Sequence, residues 1–195
     1  MEKTDIFYKV HLRLEKKLPA NLFYHDAAHT KDVIEKSVFL AEKENLSPSE
    51  INLIKVAALY HDAGFILGRE EHEEKSCKLA TKELPEYNFS KAQIKTICGM
   101  INATRIPQKT SNLYEDIIAD ADLFYLGTEN YDYFSNKLYL ELKHDRPELT
   151  QKEWVKIQLD FLKSHHFHTN FGIKVLEPVK RKHLEKITEM WKNFD

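Results

Sequence analysis

Apolar residues recur at helical spacing along nearly the whole chain, and that period constrains the fold more than any other feature. Ile94, Ile97, Cys98 and Ile101 fall at i, i+3, i+4 and i+7, one face of an α-helix. Phe7, Val10 and Leu14 carry a similar stripe ahead of Leu18-Pro19, and Val33, Ser37, Val38 and Ala41 carry a second to about Glu44. Ser47-Pro48-Ser49-Glu50 is a full helix start, in which Ser47 caps, Pro48 takes the first helical position and Glu50 completes a capping box. Ser90 to Gln93 and Thr150 to Glu153 repeat the box, the latter ahead of Trp154, Ile157 and Phe161. Further helices are expected from about Glu70 to Leu84, closed by Pro85, and from Leu113 to Leu126, where Gly127 suits a left-handed cap. Tyr131, Phe134, Leu138 and Leu142 mark another, and helix resumes from about Thr169, interrupted or bent at Pro178. Residues 103–112 lose the period and form the longest loop. With 5 Gly and 6 Pro in 195 residues, the chain lacks the turn formers of a sandwich or barrel. The reading is all-α: residues 1–195 as one compact bundle of about eight or nine helices.

Composition narrows function by exclusion. The glycines, at 64, 68, 99, 127 and 172, match neither a Rossmann fingerprint nor a P-loop. A balance of 29 Lys/Arg against 31 Asp/Glu leaves no extended nucleic-acid surface, and Lys180-Arg181-Lys182 reads as a solvated helix face. No apolar run approaches the ~18 residues of a membrane span, and Met1-Glu2-Lys3-Thr4-Asp5 lacks the apolar stretch of a signal peptide. Cys77 and Cys98 read as reduced packing residues, so the expected location is cytoplasmic.

The histidines are more informative. His29 lies one turn before Val33, His61 one turn past Ala57 and Ala58, and Asp122 one turn past Ile118, each on the apolar side of its helix. Burying a carboxylate there costs several kcal/mol unless it is paired or binds a metal. His61-Asp62 stands at a helix end before Ala63-Gly64, where neighbours can turn toward one ion. Two imidazoles and two carboxylates suit a divalent cation, Mn, Mg, Fe, Zn or Co. Each residue alone also has a structural reading, as a hydrogen-bonded core histidine or a turn-capping aspartate. His165, His166 and His168 suit a helix end better than one coordination sphere, and His11, His144 and His183 have charged neighbours and look solvated.

Tyr24-His25-Asp26-Ala27-Ala28-His29, then Tyr60-His61-Asp62-Ala63-Gly64, then Ala119-Asp120-Ala121-Asp122-Leu123 together resemble the H…HD…D signature of the HD superfamily of metal-dependent phosphohydrolases, over roughly residues 20–127. His72-Glu73-Glu74-Lys75-Ser76 is similar to the H-E-x-x-S stretch of small bacterial members. The resemblance implies an HD-type helical bundle whose metal ligands are His29, His61, Asp62 and Asp122, with Asp120 in a supporting place. Tyr24-His25 resembles the opening of the cyclic-nucleotide phosphodiesterase motif, which implies His25 as proton donor to the leaving oxygen; Asp26 replaces that motif's usual Asn. Asp62 would orient the attacking water or bridge to a second ion, with His72 and Glu73 at the same mouth, although both also fit a plain helix start. Arg69, Lys75, Arg105 and Lys109 flank this mouth as candidate phosphate-binding cations, and each alone is also ordinary surface. The expected substrate is a nucleotide or another small phosphate ester. The competing readings are an HD-type di-iron oxygenase, for which only His72 lies between Asp62 and Asp122, and a metal- or nucleotide-binding sensor without catalysis.

Overall fold

The computed structural model describes residues 5–194; the run Met1 to Thr4, read above for a leader, and Asp195 lie outside the described residues. Nine α-helices are present among the described residues: α1 Ile6–Lys17, α2 Ala27–Lys43, α3 Pro48–Tyr60, α4 His72–Glu83, α5 Lys91–Ala103, α6 Leu113–Asp122, α7 Tyr131–Asp145, α8 Gln151–Ser164 and α9 Glu177–Lys192. All three capping boxes form, at Ser47/Glu50, Ser90/Gln93 and Thr150/Glu153. Side chains of Asp5, Asp26 and Asn112 cap α1, α2 and α6 by accepting backbone N–H groups that have no partner within the helix. Among the described residues no helix is long and apolar enough to cross a membrane.

α3 is the axis of the first half. Its segment Val56 to Tyr60 is buried on every side, as its nearly continuous apolar sequence requires. Leu14, Leu40, Ile97, Ile101, Ile117 and Ile118 from α1, α2, α5 and α6 close around it. A bidentate pair between Arg13 and Glu83, at 2.5 and 3.1 Å, ties α1 to the end of α4, and the Tyr60 hydroxyl donates to the same carboxylate at 2.8 Å. A second core, with Leu126, Tyr131, Leu159, Leu162, Leu176 and Ile187, joins α7, α8 and α9, and Tyr139, Leu149 and Trp154 form a smaller third.

Five local expectations are corrected. α6 stops at Asp122 and is followed by a 3-10 turn, Phe124–Gly127. Gly127 is not in the left-handed region; a Cβ there would lie 2.4 Å from the Leu176 Cβ, so close packing rather than capping requires glycine. The irregularity near Pro178 is a π-helical turn, Gly172–Leu176, with Pro178 already inside the first turn of α9, where its missing N–H is harmless. Lys180 is not on a solvated face: it is buried, pairs with Glu177 at 2.9 Å and donates to the His165 carbonyl. It shares the stripe of Leu176, Leu184 and Ile187, which its basic neighbours disguise. His183 is half-buried, stacked on Tyr131 and 2.8 Å from the Thr128 carbonyl.

Between α3 and α4 the chain makes the 3-10 turn Ala63–Leu67, then reverses through Gly68 at φ 116°, a conformation that favours glycine. A Cβ on Gly64 would stand 1.9 Å from the His72 carbonyl oxygen, so α4 begins in direct backbone contact with this turn. Gly64→Ala must push the start of α4 away. The expected loss is about 2–3 kcal/mol, read as a fall in Tm of roughly 5–10 °C by circular dichroism; an unchanged Tm would mean that α4 shifts at no cost.

Candidate metal centre and its chamber

Three helix termini deliver the central side chains. His29 stands in the first turn of α2, where its N–H donates to the Asp26 cap at 2.8 Å. α3 ends at Tyr60, His61 continues the helical conformation, and Asp62 breaks from it at φ −104°, ψ 2°, so that adjacent side chains face one point. Asp122 is the last residue of α6. Ligand atoms of His29, His61 and Asp122 lie within 4.8 Å of one another. Asp62 joins them, with Oδ2 at 3.2 Å from His61 Nε2 and 3.7 Å from His29 Nε2.

The donor set fits a divalent cation. His61 Nδ1 is 2.8 Å from the Ala58 carbonyl and donates to it, which turns the Nε2 lone pair toward Asp62 and Asp122. His61 Nε2 and Asp62 Oδ2 are both buried without a hydrogen-bond partner. Acceptors facing one another in this way require a positive charge between them, either a proton or a metal. The same balance governs titration: burial works against a charged His61, yet Asp62 and Asp122 hold it well above its ordinary value. Burial would raise Asp62 and Asp122, but the imidazoles hold both carboxylates well below the usual range.

A model of the HD-CE family matches residues 4–185. The chain belongs to the HD-CE family of HD-domain proteins. Its fold is similar to that of a predicted HD superfamily hydrolase from an uncultured Thermotogales bacterium, at 19% identity and TM-score 0.60, over 97% of this chain and 91% of that one. It is also similar to Bacillus subtilis YpgQ, solved in complex with ADP, at 14% identity and TM-score 0.65, over 96% and 97% of the two chains. A Lactobacillus plantarum protein gives 13% identity and TM-score 0.65, over 99% and 100%. No curated protein matches the sequence.

In this HD-CE protein His25 precedes α2 rather than lying on it, because the helix starts at Ala27; helical spacing from His29 does not aim its ring. Glu141 of α7 does. Its buried carboxylate accepts the backbone N–H groups of Tyr24 and His25 at 2.9 and 3.1 Å and the His25 Nδ1–H at 2.6 Å. The His25 ring also stacks on Phe65 at 4.8 Å, and its centroid is 5.9 Å from that of His29. Burial opposes the charged imidazole, but the Glu141 hydrogen bond and nearby Asp62 raise His25 above its ordinary value. Burial would likewise raise Glu141, and the bond to His25 brings it down to about 2. The sequence reading did not include Glu141, yet a signal existed: Phe134, Leu138 and Glu141 fall at i, i+4 and i+7, an acidic residue on an apolar stripe.

His72 stacks on Phe65 at 4.0 Å and puts Nε2 3.4 Å from Asp62 Oδ1, while buried Glu73 lies 3.6 Å from His72 and 3.5 Å from Arg105. Asp62, Asp122, His25, His72, Glu73 and Arg105 all line one chamber of about 460 Å³ that runs from the centre toward α7 and α8. Arg69 and Lys75 stand outside it. Arg69 pairs with Glu141 at 3.0 Å and Asp145 at 2.8 Å, and Lys75 donates to the carbonyls of Gly68 and Glu70. Lys109 is exposed and not part of the wall.

The other histidine cluster is not a metal group, because His165, His166 and His168 do not gather as ligands among the described residues. His165 ends α8 beside Lys180, and burial together with that ammonium holds it down to about 3. Asp120 points the other way from Asp122. It is fully buried and accepts from His168 N–H, Thr169 N–H and the Thr169 hydroxyl at 2.9, 2.9 and 2.7 Å, anchoring the approach to α9. Asp120→Ala leaves these donors without a partner, and the expected cost is about 3 kcal/mol in denaturant unfolding. A loss below ~1 kcal/mol would mean that water satisfies them.

Proposed function

We propose that this protein is a metal-dependent phosphohydrolase acting on a nucleotide or another small phosphate ester, with His29, His61, Asp62 and Asp122 holding the ion. The observation that carries the reading is the convergence of these four on one point, with His61 Nε2 and Asp62 Oδ2 buried and unpartnered, at the inner end of a chamber that also presents His25. A nucleotide is favoured among small esters by YpgQ, a protein of similar fold solved with ADP. The two free thiols suit the cytosolic setting expected from composition. Helices from both halves of the chain furnish the chamber, which supports the reading of residues 1–195 as one domain.

A bound divalent ion supplies a Lewis acid that makes water nucleophilic near neutral pH and withdraws charge from a phosphoryl oxygen. The chain supplies the rest. Asp62 turns Oδ2 to the imidazoles and keeps Oδ1 beside His72, where it orients the attacking water. The attacking water gives up a proton to solvent, and as its oxygen bonds to phosphorus the bond from phosphorus to the ester oxygen breaks on the opposite side. His25 retains Nδ1–H on Glu141, so the proton for the departing oxygen comes from Nε2. Glu141 is a positioning residue: it sets the ring, fixes the tautomer and favours the charged imidazole.

Phosphate release from a panel of nucleotides and phosphate esters with Mn, Mg, Co, Zn or Fe tests the reading. Turnover of none of them, with metal bound, would shift weight to the oxygenase or sensor. Asp62→Ala and Asp122→Ala are expected to lose both metal and activity, whereas Asp120→Asn keeps the metal; equal metal loss in all three, by elemental analysis, would overturn the ligand assignment.

His25→Ala should keep the metal, lose about a hundredfold or more on an ester with a poor leaving group, and lose far less on p-nitrophenyl phosphate. Glu141→Gln should do the same more weakly and change the pH profile. An acid works while protonated, and Glu141 raises the value through which His25 loses its proton. Its removal therefore moves the alkaline limb to lower pH. A lower rate with an unmoved limb would reduce Glu141 to a purely structural tie.

A further inference from the structure

The chamber is far larger than one phosphoryl group needs, and its lining falls into a polar and an apolar part. At the inner end stand Asp62 and Asp122. Away from them the wall is built by Leu126, Leu138, Leu142, Trp154, Ile157 and Phe161, from the end of the Phe124–Gly127 turn and from α7 and α8. Two polar groups at this end are tied to a third: the hydroxyls of Tyr131 and Ser135 both donate to Gln158 Oε1, at 2.8 and 2.6 Å. This wall therefore offers little to a charged chain and much to apolar surface.

The cations decide what it rejects. Among the described residues Arg105 is the one Lys or Arg in the wall, and it pairs with Glu73 and Glu74 at 3.5 and 3.3 Å. Arg69 and Lys75 are engaged elsewhere, by Glu141 and Asp145 and by two backbone carbonyls. Against them the wall carries three carboxylates, Asp62, Glu73 and Asp122. One phosphoryl group can be met at the metal centre and His25, but further phosphates would have only Arg105, which Glu73 and Glu74 already engage.

Resting on the phosphohydrolase reading, we propose that the chamber binds the organic part of the substrate. The enzyme then selects monophosphate esters of large apolar or aromatic alcohols over polyphosphates and over esters of small polar alcohols. A planar base of a nucleoside monophosphate and an alkyl or aryl group share this chemistry, and the assay separates them.

The test compares kcat/KM of the metal-loaded protein for glycerol phosphate, butyl, hexyl and octyl phosphates, 1-naphthyl phosphate, AMP, ADP and ATP. The alkyl series should rise about fourfold per methylene until the chamber is full, and ATP should not exceed AMP. Flat dependence on the organic group, or ATP preferred tenfold over AMP, overturns the proposal while leaving hydrolysis itself intact. Turnover of no ester overturns the underlying reading instead.

Binding tests the chamber without turnover. In Trp191→Phe, Trp154 remains as the one tryptophan, lies in the wall, and should change its fluorescence on addition of octylphosphonate but not of methylphosphonate. An equal response to both, or to neither, counts against the proposal. Leu142→Phe should shift the best chain length downward and Leu142→Ala upward. General loss of folding cannot move an optimum in opposite directions, so a fixed optimum in both variants also overturns the proposal.

Discussion

Two carboxylates held near the centre of an apolar bundle, Asp62 and Asp122, are the constraint on which the surrounding structure depends. Each would cost several kcal/mol to bury alone, so imidazoles must be brought to them, and helix ends are where the backbone can turn to do so. The two sites are built alike. α3 and α6 both stop within two residues of the carboxylate, and each is followed by a short 3-10 turn, Ala63–Leu67 or Phe124–Gly127. In each turn a glycine meets a neighbouring element at a distance no Cβ could occupy, Gly64 against His72 and Gly127 against Leu176. Close packing of these turns holds the ends of the helices, and so the carboxylates, in place.

How much of this was readable in the chain follows the range of the forces involved. The three capping boxes and the stripe at Ile94 to Ile101 are local, and they formed as their spacing required. His29, His61 and Asp122 stand out locally as polar residues on apolar stripes, but spacing leaves their structural readings open, and it is the resemblance to the HD signature that joins them with Asp62 into one set. Gly127 misled because a glycine after a helix has two physical uses, a left-handed cap and a close approach, and only the distant Leu176 decides between them. Lys180 misled because its neighbours Arg181 and Lys182 are exposed, while its own partners are Glu177 and a carbonyl fifteen residues earlier. The orientation of His25 is not legible locally for a related reason: what aims its ring is Glu141, over a hundred residues away.

Glu141 also shows why the second half of the chain is more than a support for the first. α7 turns this carboxylate to the backbone at Tyr24 and His25, and Arg69 bridges it to Asp145. The segment that leads into α2, the ring of His25 and the loop ahead of α4 are therefore fastened to one helix. A carboxylate buried this deeply is tolerable because it accepts two backbone N–H groups, an imidazole and a guanidinium at once. Removing any one donor leaves the charge less well met, so the contacts are mutually dependent.

The same helix carries part of the chamber wall. Leu138 and Leu142 flank Glu141 in sequence and face the cavity, while Glu141 holds His25 at its inner end. A movement of α7 that widened the chamber would also withdraw the carboxylate from the His25 ring. The size of the group admitted and the orientation of the proton donor are thus two consequences of one helix position. A bundle of this kind can change the group it admits by exchanging side chains on the inner faces of α7 and α8, but not by shifting α7 itself without disturbing His25.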